Sequence, residues 1–162
     1  MPKGDKIRKL ATSWKLKLFM LHKLPLAFFA GLKVIEINPQ QATVHIPYKH
    51  MNINPFKSMY FAAQAMAAEL STGILALAAV QDEESKMSML VLNMNAAFLK
   101  KASTPIVFSC HEGEAIARAI HQAKITNEGQ TISVTSRGLD KNNELVSEFQ
   151  FTWSFKTKNT KT

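Results

Sequence analysis

The chain of 162 residues contains one cysteine, Cys110. That excludes an intramolecular disulfide and argues against a cysteine-based metal site. The five histidines, His22, His45, His50, His111 and His121, show no metal-ligand spacing, so no metal site is expected. No Gly-x-Ser-x-Gly surrounds Ser58, which therefore reads as a helix cap and not as a nucleophile. The opening stretch MPKGDKIRKLATSWKLKLFML has no clean apolar run followed by a small-residue cleavage site, which predicts a cytoplasmic protein. Residues 16–32 are apolar but interrupted by Lys17, Lys23 and Pro25, so they are not expected to span a bilayer. No internal repeat or low-complexity tract is present. Acidic residues are few: 12 Asp and Glu against 20 Lys and Arg leave a formal charge of +8. Such a balance favours anionic partners. The excess sits largely in KGDKIRK, KLK, the Lys100-Lys101 pair and the tail KTKNTK, which read as solvated surface. No nucleic-acid motif accompanies it, so no nucleic-acid partner is expected.

What remains is a composition for one globular domain: 46% hydrophobic and 20% charged residues. Residues 5–22 predict an amphipathic helix, with Ile7, Leu10, Trp14, Leu18 and Leu21 three and four apart and lysines between them. The favoured reading packs that stripe on the body of the domain. Contact with a membrane surface is the less favoured one. Residues 32–37 and 42–47 read as a hairpin around the turn Asn38-Pro39-Gln40-Gln41. A helix follows over residues 59–80, with Ser58 as its cap. Its apolar residues run all the way round, as in a helix buried on most sides. Gly73 within it permits close approach of another backbone. The second half alternates with period two. Leu90, Leu92, Met94, Ala96 and Phe98 share one face, and Phe149, Phe151, Trp153 and Phe155 share another. Asn93 and Asn95 fall on the outer side. Residues 114–124 fit a short helix with Arg118, Gln122 and Lys124 outward, or more strand; strand is preferred.

The order is helix, two strands, one long buried helix, then four strands. It predicts an α+β hotdog fold, one antiparallel sheet wrapped around one central helix, with an extra N-terminal helix. The boundaries read as 1–27 for the N-terminal helix and linker, 28–157 for the hotdog domain and 158–162 for the tail.

One residue is out of place. In NPFKSMYFAAQAMAAEL, Glu69 stands among alanines, methionines and leucines. A carboxylate that loses solvation there has a raised pKa and suits a general base near neutral pH; in a hydrolysis it could deprotonate a water or attack the carbonyl itself. The structural alternative is a carboxylate satisfied by Thr72, Gln64 or a basic residue of another chain. The unpaired N–H groups at the helix start, around Tyr60, Phe61 and Ala62, are candidate oxyanion donors.

These residues carry a resemblance to hotdog-fold thioesterases of the phenylacetate-pathway type, in one of their less characterised branches. That family's motif is an Asn, a His-Gly-Gly six residues later, and an Asp or Glu nine residues after the His. Here Asn54 is followed six residues later by Tyr60-Phe61-Ala62, and Glu69 stands nine after Tyr60. The resemblance spans about residues 28–156. It implies hydrolysis of an acyl-CoA thioester, with Glu69 and Asn54 catalytic and a backbone N–H at the helix start holding the oxyanion. It also implies a homo-oligomer, a dimer or a dimer of dimers, and no cofactor. Lys57, Lys100 and Lys101 are candidates for the CoA phosphates by charge alone. Replacement of the His-Gly-Gly favours the alternative, a non-catalytic acyl-CoA or lipid binder. Tyr60 lies about 13.5 Å along the axis from Glu69 and about opposite in phase, so two chains are needed to complete one site.

Overall fold

The computed structural model describes residues 3–83 and 85–158; within the expected tail, residues 159–162 lie outside the described residues. The elements in chain order are α1 (Lys3–Ala11), α2 (Trp14–Lys23), α3 (Pro25–Ala30), β1 (Lys33–Ile37), β2 (Ala42–Ile46) and α4 (Phe61–Asp82). β3 (Met87–Phe98), β4 (Ile106–Cys110), α5 (Gly113–Thr126), β5 (Gln130–Leu139) and β6 (Leu145–Thr157) complete it. A 3-10 turn at His50–Asn52 precedes α4. The strands make one antiparallel sheet in the order β1-β2-β4-β5-β6-β3. α4 packs across it on β2, β4, β5 and β6.

The sheet closes on α4 because many of its buried positions are alanines. Ala67, Ala68 and Ala76 are fully buried and let Phe108, Phe149 and Phe155 come close. α4 is long and apolar enough to cross a membrane, but most of it is buried inside this core. The polar groups it takes inside are paired: Ser71 with Ser136 at 2.7 Å, and Thr72 accepting the Trp153 indole N–H at 3.0 Å. Buried polar groups need such partners.

Four expectations change. Residues 114–124 form α5 and not a strand. Ala and Ile alternate there, so the pattern alone fits either period. The spacing of Ile116, Ile120 and Ala123, all fully buried, is the one a helix stacks on α4. Its first residue has to be glycine: a Cβ on Gly113 would stand 2.1 Å from the Pro39 carbonyl oxygen in the β1–β2 turn. Second, Ser58 does not cap α4. The N-cap position is Tyr60, without a side-chain cap, and the Ser58 hydroxyl turns to the Ala102 carbonyl. Third, the alternation of β3 is broken by a bulge between Val91 and Asn93. Met94 and Ala96 face inward opposite Phe151 and Phe149, whereas Leu90, opposite Ser154, faces outward with Asn93 and Asn95. A bulge shifts the period-two phase by one residue. β3 is also an edge strand, and its residues 92–98 are exposed.

The fourth change is at the N-terminus. The helix expected over residues 5–22 breaks at Thr12–Ser13, where the Ser13 hydroxyl donates to the Leu10 carbonyl at 2.8 Å. The break resets the phase, so α2 turns Leu16 and Met20 inward and leaves Trp14, Leu18 and Leu21 exposed. α1 is tied to the end of α4 by Asp82, which accepts from the Gly4 amide at 2.9 Å and the Arg8 guanidinium at 2.6 Å.

Candidate active site

One strip of α4 stays uncovered. Ala62, Ala65, Met66, Glu69, Gly73 and Leu77 are half-buried, while their helical neighbours are buried. These positions fall on one face of a 3.6-residue helix. The first half of the strip, Ala62, Ala65, Met66 and Glu69, floors a hollow of about 640 Å³ walled by Leu26 and Phe29 of α3, Met51 and Asn52 of the 3-10 turn, Val91 and Met94 of β3, and Phe151. A second hollow of about 300 Å³ shares Leu26, Met66 and Glu69 with it and runs under the α2–α3 corner. Glu69 lines both hollows.

The carboxylate of Glu69 has no hydrogen bond or ion pair among the described residues. Neither of the partners expected within the chain serves it. The Thr72 hydroxyl donates to the backbone carbonyl of Glu69 at 3.0 Å. The Gln64 amide donates to the Met59 carbonyl at 3.2 Å and accepts from the Ser147 hydroxyl at 2.8 Å. Burial pushes the Glu69 carboxyl pKa above its ordinary value. Gly73 makes room for it: a Cβ there would meet the Glu69 Oε1 at 2.9 Å and the Trp153 ring at 3.4 Å. The close neighbours of Gly73 are thus two side chains, not another backbone.

The helix start opens on the same hollow. Tyr60 is in extended backbone, outside the helix, so the opposite phase expected from nine helical steps does not apply; Tyr60, Ala62 and Glu69 line one wall. The Tyr60 N–H is already spent on the Asn52 carbonyl at 2.7 Å, and its own carbonyl accepts from Ala63 and Gln64. The N–H groups of Phe61 and Ala62 have no acceptor among the described residues. They are the donors the helix start can offer, with its positive dipole end behind them.

The other expected residues lie elsewhere. Asn54 folds its own loop, its Oδ1 accepting from Phe56 at 3.0 Å and Ser58 at 3.2 Å. It lines a separate hollow of about 580 Å³ on the other side of the helix start, with Phe61, Phe98, Lys100 and Lys101. Lys100 is clamped by Asp140 at 2.9 Å and by Glu144. Lys57 sits in that loop at a φ of 56° and lines neither hollow. The asparagine that reaches the Glu69 hollow is Asn52, buried, its amide donating to the Ala30 and Pro47 carbonyls at 2.9 and 2.8 Å. It locks α3 to the start of α4. Both Asn52 and Asn54 stand in HMNINPF, and only the motif spacing singled out Asn54. Among the described residues no group of three or more His, Cys, Asp or Glu is placed to hold a metal ion.

The family model for a domain of unknown function, DUF4442, matches residues 12–155. The chain belongs to this family. No curated protein matches it. Among solved structures, the chain is similar to a protein of unknown function and probable thioesterase from Pseudomonas aeruginosa. That match has 21% identity, covers 90% of this chain and 97% of that one, and has a TM-score of 0.77. It is similar also to a protein of unknown function from Chlorobaculum tepidum, at 17% identity, 97% and 98% coverage and a TM-score of 0.79. A third likeness is to the PaaI protein of the phenylacetic acid degradation operon of Escherichia coli, at 15% identity, 91% and 94% coverage and a TM-score of 0.62. These likenesses show the hotdog fold for this DUF4442 chain.

Proposed function

We propose that this member of the family is a cytoplasmic acyl-CoA thioesterase that works as a homo-oligomer, with Glu69 as the general base. The observation that supports the reading is a carboxylate without a partner in an apolar hollow that Ala62 of the helix start also lines, with the Phe61 and Ala62 N–H groups left without acceptors among the described residues. An unpaired buried carboxylate is costly, and such groups cluster where chemistry uses them. Glu69 takes a proton from water as the water oxygen attacks the thioester carbonyl. Phe61 and Ala62 N–H groups hold the resulting oxyanion. Collapse expels the CoA thiolate, and protonated Glu69 returns the proton to its sulfur. The products are the carboxylic acid and free CoA.

Seven helical steps from Ala62 to Glu69 span about 10.5 Å, too far for both to act on one carbonyl. A two-fold dimer with antiparallel α4 helices brings one chain's helix start to the other chain's Glu69. The exposed β3 edge supports it, since an unpaired apolar edge calls for cover. The hotdog unit over residues 28–157 is the part that dimerises in this reading. Lys101 supplies a cation for the CoA end, and Lys100 does so only by leaving its carboxylates.

A second reading has one observation behind it: Tyr60-Phe61-Ala62 stands where the resembling family has His-Gly-Gly, and the Tyr60 and Phe61 rings, 4.8 Å apart, crowd the helix start. A binder of acyl-CoA that does not turn it over would follow. Release of free thiol from a panel of acyl-CoAs by the purified protein separates the two. Hydrolysis supports the enzyme, and saturable binding without thiol release supports the binder.

A further inference from the structure

α2 has two apolar faces, and the fold uses one. Leu16 and Met20 are buried against the body, at 7% and 2% exposure. On the other side Trp14, Leu18 and Leu21 stand at 67%, 56% and 45% exposure. At about 100° per residue these three fall within about 60° of one another, one continuous stripe. Lys17 flanks it on one side and Lys15 on the other, both exposed. Past the corner, exposed Leu24, Leu26 and Phe29 extend the apolar surface to the rim of the Glu69 hollow. Beside Trp14 a cleft of about 430 Å³ between α2 and β1 carries Lys17 and Lys33 on its walls. Residues 3–24 hold seven basic residues and one acidic, six of the net charge of +8.

We propose that the outward face of α2 and the α2–α3 corner seat the protein on an anionic lipid surface. A helix lying in the headgroup plane needs this arrangement: Trp and Leu dipping toward the acyl boundary, lysines at the phosphates, and a fixed tie to the rest of the fold. A second copy of the chain does not fit as the occupant. A two-fold contact through this face would bring two copies of the same basic surface, with Lys15, Lys17 and Lys23 on each, into one interface, whereas the uncharged part of the β3 edge brings no such repulsion. Nucleic acid would answer the lysines but leave the aliphatic stripe in water. Seating on lipid does not depend on whether the hollow hydrolyses anything. It sets the mouth of the hollow at the surface.

Trp14 is the reporter. The only other tryptophan, Trp153, is buried inside the core at 4% exposure. The full-length protein is mixed with vesicles of phosphatidylcholine alone, or with about 30 mol% phosphatidylglycerol. Expected are co-sedimentation with the anionic vesicles, a blue shift of tryptophan emission, and loss of both in high salt. Leu18→Glu with Leu21→Glu should weaken binding at least about tenfold at an unchanged melting temperature, and so should Lys15→Glu with Lys17→Glu. The proposal is overturned by no binding to anionic vesicles, by binding that survives both double variants, or by a Trp14 face already shielded by self-association in vesicle-free solution. Binding to duplex DNA that the vesicles cannot compete away would overturn it in favour of nucleic acid.

Discussion

Gly73→Ala is a change that the geometry of the site makes informative. In the interior of α4, alanine in place of glycine favours the helix by about 1 kcal/mol. For a chain of this size that raises the melting temperature by about 2–4 °C. The new Cβ sits 2.9 Å from Glu69 Oε1, and ordinary contact begins at 3.4 Å, so the carboxylate moves by about 0.5 Å. It can do so, because it is the end of a flexible side chain with no hydrogen bond to break. The Trp153 ring, at 3.4 Å, stays in contact. A misplacement of 1 Å at a reacting group costs up to about a hundredfold, so half that distance costs about tenfold in kcat. KM changes little, since Gly73 lines neither of the hollows that Glu69 faces. Differential scanning fluorimetry and a thiol-release assay on one preparation read both effects. A variant that is both more stable and slower is the expected result. A variant that melts lower, or one that keeps the wild-type kcat, would refute the placement of the reacting carboxylate against Gly73.

Burial raises the Glu69 pKa, so the native state keeps this proton to a higher pH than the unfolded chain. Glu69 therefore costs stability above its native pKa and none below its unfolded value; Glu69→Gln should melt higher than wild type at pH 7, the gap closing as pH falls from the raised native pKa to the ordinary 4.5. The acid limb of kcat/KM should lie above the usual carboxylate range, and a limb at or below it would contradict the base assignment. Mixing Glu69→Gln chains with Ala62→Trp chains, each inactive alone, should restore up to one working site of two once subunits exchange. No recovery despite demonstrated exchange would sink the shared site. Ile120 is fully buried on α5, and Ile120→Ala should cost about 2–5 kcal/mol in chemical denaturation; a loss below 1 kcal/mol would mean that α5 is not part of the core.

The sheet and the central helix were legible because long patterns specify them. Twenty-two residues without a polar face can only be inside, and Phe149, Phe151, Trp153 and Phe155 alternate without a break. What misled was local phase. Ala and Ile at alternating positions over residues 114–124 satisfy both periods, and burial on α4 decides between them. A one-residue bulge at Leu92 moves Leu90 to the outer face with no mark in the composition. The break at Ser13 likewise splits a single apparent stripe, leaving Ile7 and Leu10 half-buried and Trp14, Leu18 and Leu21 exposed. Within the site, Glu69 was legible as a charge among apolar residues. Asn52 was not, because it acts through backbone carbonyls of a distant segment, and Gly73 was legible as a close approach but not as room for the Glu69 and Trp153 side chains. Lys100 read as a free cation, since its carboxylate partners Asp140 and Glu144 come from the β5–β6 turn, some forty residues on.

The most direct measurement is turnover of the wild-type protein and of Glu69→Gln on whichever acyl-CoA the wild type hydrolyses best, at pH 7, with near-ultraviolet circular dichroism to show that both are folded. Loss of a general base removes about two to four orders of magnitude in rate. The account predicts that fall in kcat with substrate binding retained. A folded Glu69→Gln protein with kcat near that of the wild type would contradict it.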